Sequence, residues 1–188
     1  MTNWDGMGRV IRVVVMSVML VAGIAALPVQ PAQAEPPLRV QSRPALSGTE
    51  YVHGTERFVI HYTDTGIDAV PLADSDGSGV PDWVEEVGTV MEMVWSVEID
   101  QMGWPAPLPD NSEGGDERFD VYLMELFSKN LAGYVSPDGG FVGDNPNTAR
   151  TEGQAAYGFL VLENDFIDPS PPAELLVWSP EQWLRIIA

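Results

Sequence analysis

The stretch DSDGSGVPDWVE, Asp74 to Glu85, places oxygen-bearing side chains at its first, third, fifth, ninth and twelfth positions: Asp74, Asp76, Ser78, Asp82 and Glu85. Gly79 is sixth, where a tight loop needs a sharp turn, and Val80 is seventh, a position that contributes its carbonyl. This is the pattern D-x-[DN]-x-[DN]-G-x5-E with Ser at the fifth position. A hard divalent cation takes about six to eight oxygens at roughly 2.3–2.6 Å, and a curled loop turns alternate side chains inward to supply them. The residues therefore read as an EF-hand-like calcium loop with Asp74, Asp76, Ser78, Val80, Asp82 and Glu85 as ligands. The alternative is an Asp/Gly-rich surface turn that caps the next helix, since both residue types favour turns. Pro81 at the eighth position has no N–H, so the loop cannot make the short β-bridge by which two such loops pair. Ile67 to Ala73 contains Pro71 and no helical period. The spacing predicts a solitary loop opening one helix.

That helix is legible downstream. Pro81 suits a first helical position, and Asp82, Glu85 and Glu86 fall in the first turn, where the helix dipole favours acids. Val84, Val87, Met91 and Val94 recur at helical spacing, and Gly103 marks a stop. An amphipathic helix is predicted over 81–102, followed by an extended Pro-rich connector, Trp104 to Pro109.

Strands flank this unit. Phe58, Ile60 and Tyr62 alternate with Arg57, Val59 and His61, as in a half-buried strand. Phe119, Val121 and Leu123 alternate with Asp120, Tyr122 and Met124. Ala132 to Val135 reads as a short strand, and Ala155 to Glu163 as one apolar on both faces, which calls for cover on both sides. Asp110, Glu113, Asp116 and Glu117 match no ion-binding spacing and read as a solvated turn. Ser136 to Thr148 reads as a surface loop. Ser170 is placed to cap a helix from Pro171, and Ser179-Pro180-Glu181-Gln182 resembles a capping box opening a last short helix. The order is strand, helix, strand, short strand, strand, helix, which implies an α+β domain with a small mixed sheet and one long helix.

The chain begins with Arg9 and Arg12, an apolar run from Val13 to Leu27 and Ala32-Gln33-Ala34, the pattern of a secretory signal peptide over 1–34. Residues 35–56 are rich in Pro and polar residues and read as an irregular lead segment. The domain then spans 57–176, and an atypical short helical tail spans 177–188. Beyond the leader the chain has 27 acidic and 7 basic residues. A net charge near −20 argues against nucleic acid or an anionic membrane as partner and favours bound cations such as Ca²⁺. No second apolar stretch reaches membrane length, so a secreted or periplasmic protein without a stable membrane anchor is expected. Cysteine is absent, so disulfides do not staple the fold.

Several segments together resemble a known family. Phe58-Val59-Ile60-His61-Tyr62, the DSDGSGVPDWVE loop with its helix, and Met102-Gly103-Trp104-Pro105-Ala106-Pro107 are three of them. Arg118-Phe119-Asp120-Val121-Tyr122-Leu123 and Ala156-Tyr157-Gly158-Phe159-Leu160-Val161-Leu162-Glu163-Asn164-Asp165 are the others. In this order they resemble the N-terminal part of the catalytic domain of secreted bacterial zinc metalloproteases, over roughly 55–176. The resemblance implies a zincin-like fold in which a helix carrying HExxH follows the last strand, binds zinc through two His and activates water through Glu. After Leu176 this chain reads VWSPEQWLRIIA, and no HExxH occurs anywhere. Its two histidines, His53 and His61, are not at helical spacing and are expected to be structural.

The sequence thus implies a truncated zincin-like chain that binds calcium and is not itself proteolytic. Zinc is expected only in an intact family member. The alternatives are a calcium-stabilised extracellular interaction module without enzymatic activity, and an enzyme working through paired carboxylates, for which the sequence selects no pair.

Overall fold

Period-two alternation sends Phe58, Ile60 and Tyr62 to one side of a strand and Val59, His61 and Thr63 to the other, and both sets are buried. That strand is the second of five in a mixed sheet. In this computed structural model, residues 42–139, 143–167 and 179–187 are described, and all belong to one compact unit, Pro37–Ala188. The elements are β1 (Glu50–Gly54), β2 (Phe58–Thr63), α1 (Asp82–Trp95), β3 (Phe119–Met124), β4 (Gly133–Pro137), β5 (Gly158–Glu163) and α2 (Pro180–Ile187). The sheet order is β1-β2-β3-β5-β4. The three inner strands are parallel, and the two edge strands are antiparallel to their neighbours. A mixed sheet with one principal helix is the α+β architecture expected.

Parallel neighbours cannot be joined by a hairpin, so the chain crosses between them. The β2–β3 crossing carries α1, whose Val84, Val87, Val90 and Met91 pack with Phe58, Ile60, Tyr62, Val121, Leu123 and Leu162 into the main core. The register sets Ile60 beside Val121, and Val121 beside Leu160. The opposite face of the sheet carries a smaller core of Tyr122, Leu126, Phe159 and Val161.

Several expectations are revised. The segment 35–56 is not irregular throughout, because Glu50–Gly54 forms β1 on the edge of the sheet. Its Tyr51 and Val52 are exposed, so no inward hydrophobic period announced it; pairing with β2 forms it. The strand read as half-buried is buried on both faces, for α1 covers one and a polar layer covers the other. The helix is α-helical only to Trp95. Ser96–Gln101 continues with wider π turns, and Gly103, at φ 75°, closes it. The loop after β4 starts later than expected, since Ser136 and Pro137 belong to the strand. The leader over 1–34 and the helix expected from Pro171 lie outside the described residues.

The capping box opening α2 is present in both directions: Ser179 N donates to Gln182 Oε1 at 2.8 Å, and Gln182 N to Ser179 Oγ at 3.3 Å. Leu184 of α2 is fully buried in the main core, and Arg185 pairs with Glu86 of α1 at 2.7 Å. No helix among the described residues is long and apolar enough to cross a membrane.

Candidate functional site

The acidic loop enters α1 at Pro81, which has no side-chain cap. Asp82 N donates to Ala73 O at 2.7 Å and closes the loop on itself. Gly77 and Gly79 adopt φ of 74° and 86°, with open space where a Cβ would stand. Glycine is required there by backbone conformation and not by crowding. The turn lets Asp74 accept from the N–H groups of Gly77, Ser78 and Gly79 at 2.9–3.1 Å. Asp76 accepts from Ser78 N at 2.9 Å.

Asp74, Asp76 and Asp82 each bring one carboxylate oxygen within 4.8 Å of the others. Asp82 accepts from Ser75 Oγ at 2.6 Å and from Ser75 N at 2.8 Å, and these bonds hold its carboxyl below the ordinary value. The Ser78 hydroxyl donates to the Val80 carbonyl at 3.2 Å, so these two predicted ligands face each other. Glu85 does not join the cluster. It lines an open cleft of about 360 Å³ with His53, Thr55, Gly88, Thr89 and Glu92. Three of the six predicted ligands, Asp74, Asp76 and Asp82, thus bring oxygens together, Ser78 and Val80 are bonded to each other, and Glu85 turns toward β1. The donors are all hard oxygens and the loop carries no basic residue, which suits an alkaline-earth cation.

A second polar constellation lies on the sheet face away from α1. His61 of β2 is 1% exposed and Asp120 of β3 is 0% exposed. His61 Nε2 is 2.6 Å from Asp120 Oδ1, and His61 Nδ1 is 2.8 Å from Glu50 Oε1. The imidazole stacks on Tyr122, with centroids 4.2 Å apart and planes 11° apart. Arg43 donates to Asp110 Oδ2 at 2.5 Å, to Asp138 Oδ2 at 2.6 Å, to Asp120 and to the Tyr122 hydroxyl at 3.5 Å. Its guanidinium also lies over the Phe159 ring, 5.8 Å from the centroid. Asp110 is therefore buried against Arg43 and is not part of a solvated turn. Of its acidic neighbours, Asp116 is taken up by Arg118 at 2.6 Å.

Burial opposes charge throughout this cluster, and its balance against hydrogen bonds and neighbouring charges sets each outcome. For Asp120, bonds from His61, Asp110 and Arg43 outweigh burial and hold its carboxyl low. For His61, bonds to Asp120 and Glu50 outweigh burial and raise its pKa. For Asp110, burial and the neighbouring Asp120 prevail over Arg43 and push it up to about 6.

Two further buried carboxylates organise backbone. Glu163 ends β5 and accepts from Leu126 N at 2.5 Å and Phe127 N at 2.9 Å, while burial pushes its carboxyl up to about 7. Asp68 accepts from Ser47 N at 2.8 Å and Glu125 N at 3.0 Å. An open cleft of about 580 Å³ near Leu108 and Ala155 offers no free acid, because its Glu152 is engaged by Thr148 at 2.7 Å.

Sequence reasoning missed the Arg43–His61–Asp120 cluster. The available signal was the pair of polar residues at alternate positions, His61 in one strand and Asp120 in the next, each on the face opposite the apolar residues. No family model, curated protein or solved structure matches the chain.

Proposed function

We propose that the protein is a secreted calcium-binding protein. Asp74, Asp76, Ser78, Val80 and Asp82 would hold the ion at the mouth of α1, with Glu85 recruited as the closing ligand. The observation that carries this reading is the convergence of three carboxylates within 4.8 Å in a loop whose sixth residue is a left-handed glycine. Bound calcium would supply a charge-neutralising tie between the loop and the first turn of α1. The resemblance to the N-terminal part of zincin-like proteases belongs to the same reading, and with no HExxH in its sequence this chain is expected not to hydrolyse peptides by itself.

A second reading, a calcium-stabilised interaction module without enzymatic activity, is supported by the docking of α2. Leu184 is fully buried in the main core and Arg185 is paired with Glu86.

Titration calorimetry with CaCl2 and melting with and without EDTA test the calcium reading. At millimolar calcium and a Kd of roughly 0.1 mM, loading stabilises the fold by about 1.4 kcal/mol. No binding heat together with superimposable melting curves would overturn it.

A further inference from the structure

The cleft of about 360 Å³ between β1 and α1 holds two side chains that the fold itself does not use. Glu85, Gly88 and Glu92 recur at helical spacing along one face of α1, and His53 and Thr55 line the opposite wall. Glu92 and Thr55 are satisfied internally. Glu92 accepts from Thr55 Oγ1 at 2.7 Å, from Arg57 N at 2.8 Å and from Arg57 Nη1 at 2.7 Å. Among the described residues, the side chains of His53 and Glu85 make no hydrogen bond and no ion pair. His53 is also the one histidine open to a ligand. The chain has two, and His61 is buried with a carboxylate on each ring nitrogen, at 2.8 and 2.6 Å. The sequence contains no cysteine that could serve as a rival soft ligand.

Gly88 sets the geometry. A Cβ there would stand 2.8 Å from Thr55 Cγ2, so the missing side chain is what lets the end of β1 close on the helix. The same point lies 3.6 Å from His53 Nε2, which places that nitrogen at the bare surface of α1. Glu85 is three residues earlier on this face, a spacing at which Cβ atoms stand about 5–6 Å apart. A glutamate side chain spans such a gap, so its carboxylate and the imidazole nitrogen can meet at one ion. A nitrogen with a carboxylate suits borderline divalent cations of the zinc and copper kind, whereas calcium takes oxygens alone.

We propose that this cleft is a second cation site, which takes a borderline divalent ion through His53 Nε2 and the Glu85 carboxylate, with solvent completing the shell, and which competes with the acidic loop for Glu85. Glu85 is the twelfth residue of that loop. One carboxylate cannot close both shells, so each ion weakens the other by the same factor. The competition rests on the calcium reading; the cleft site does not.

Calorimetry on the full chain with ZnCl2, first without calcium, tests the cleft. Binding is expected, and His53→Gln is expected to weaken it by about tenfold or more while leaving calcium affinity unchanged. Absence of zinc binding overturns the proposal. So does zinc that binds His53→Gln as tightly as the unaltered chain, since it then sits on the loop aspartates. Calcium titration at saturating zinc tests the competition. Calcium affinity is expected to fall by about fivefold or more, and not to fall in His53→Gln. An unchanged calcium affinity in the unaltered chain overturns the sharing of Glu85. If calcium gives no heat in any sample, the calcium reading fails, and the zinc titrations alone decide the cleft.

Discussion

His61 and Asp120 meet across adjoining parallel strands, Nε2 to Oδ1 at 2.6 Å, in a place where neither is more than 1% exposed. The two are not register partners, since Val59 stands beside Asp120 and His61 beside Tyr122. The contact is therefore diagonal, and Tyr122 is left free to stack on the imidazole. Asp120 also accepts from Arg43, so one carboxylate joins β2, β3 and the lead segment. Replacing it by alanine takes from His61 and Arg43 the one fully buried carboxylate that both share. Asp120→Ala is expected to destabilise the protein by about 3–5 kcal/mol, the cost of breaking a buried charge pair by removing one partner. Urea denaturation checks this; a loss below about 1 kcal/mol would show that the pair is structurally idle.

The calcium reading makes a prediction about two acids that stand differently in the structure. Asp76 already lies with Asp74 and Asp82, whereas Glu85 faces the cleft near His53. Asp76→Asn removes a charge from the assembled cluster and is expected to weaken calcium binding by about tenfold or more. If the ion recruits Glu85, Glu85→Gln weakens binding as well while leaving the calcium-free melting temperature nearly unchanged. Calorimetry on both variants separates a loop that closes on Glu85 from one that binds through its aspartates alone.

Stability is expected to decline as pH rises from about 5 to about 8. Glu163 has an ordinary value of 4.5 and is pushed up to about 7 by burial. A raised carboxyl binds more protons folded than unfolded across that window, so its contribution is lost as pH passes through the folded value. Asp110, raised to about 6, and His61, raised above 6.5, act in the same sense. Asp120 acts oppositely: its lowered carboxyl gives stability that is present above about 3.8 and lost as pH falls further. The urea midpoint should therefore be highest in mild acid. Glu163→Gln keeps an acceptor for Leu126 and Phe127 N–H and should flatten the fall between pH 5 and 8. An unchanged profile in that variant would rule out Glu163 as a source of the slope.

Two left-handed glycines separate conformational from steric cost. A Cβ at Gly79 meets nothing, so Gly79→Ala should cost only about 1–2 kcal/mol, from the unfavourable φ. At Gly114 the same φ cost is joined by collision with Arg43 and Asp120. Gly114→Ala is expected to exceed Gly79→Ala by at least about 1 kcal/mol. Equal losses by thermal melting would mean that the Gly114 turn moves aside freely.

Features that rest on neighbours in the sequence were legible from it. The left-handed Gly79, the helix from Asp82, the stop at Gly103 and the reciprocal bonds of Ser179 and Gln182 all involve residues within a turn or two of each other, so the residue types fix them locally. Alternation likewise located β2 and β3, and an unbroken apolar run located β5. Only the tertiary structure decided that β1 joins the sheet, that β2 is covered on both faces, that Glu85 turns from its loop, and that Arg43 reaches Asp110, Asp120 and Asp138. Those contacts span 67 to 95 residues in the case of Arg43. A guanidinium has no sequence mark for which distant acids it will meet. That choice follows from parallel strand order and from the need to pair every charge that the closing sheet removes from water.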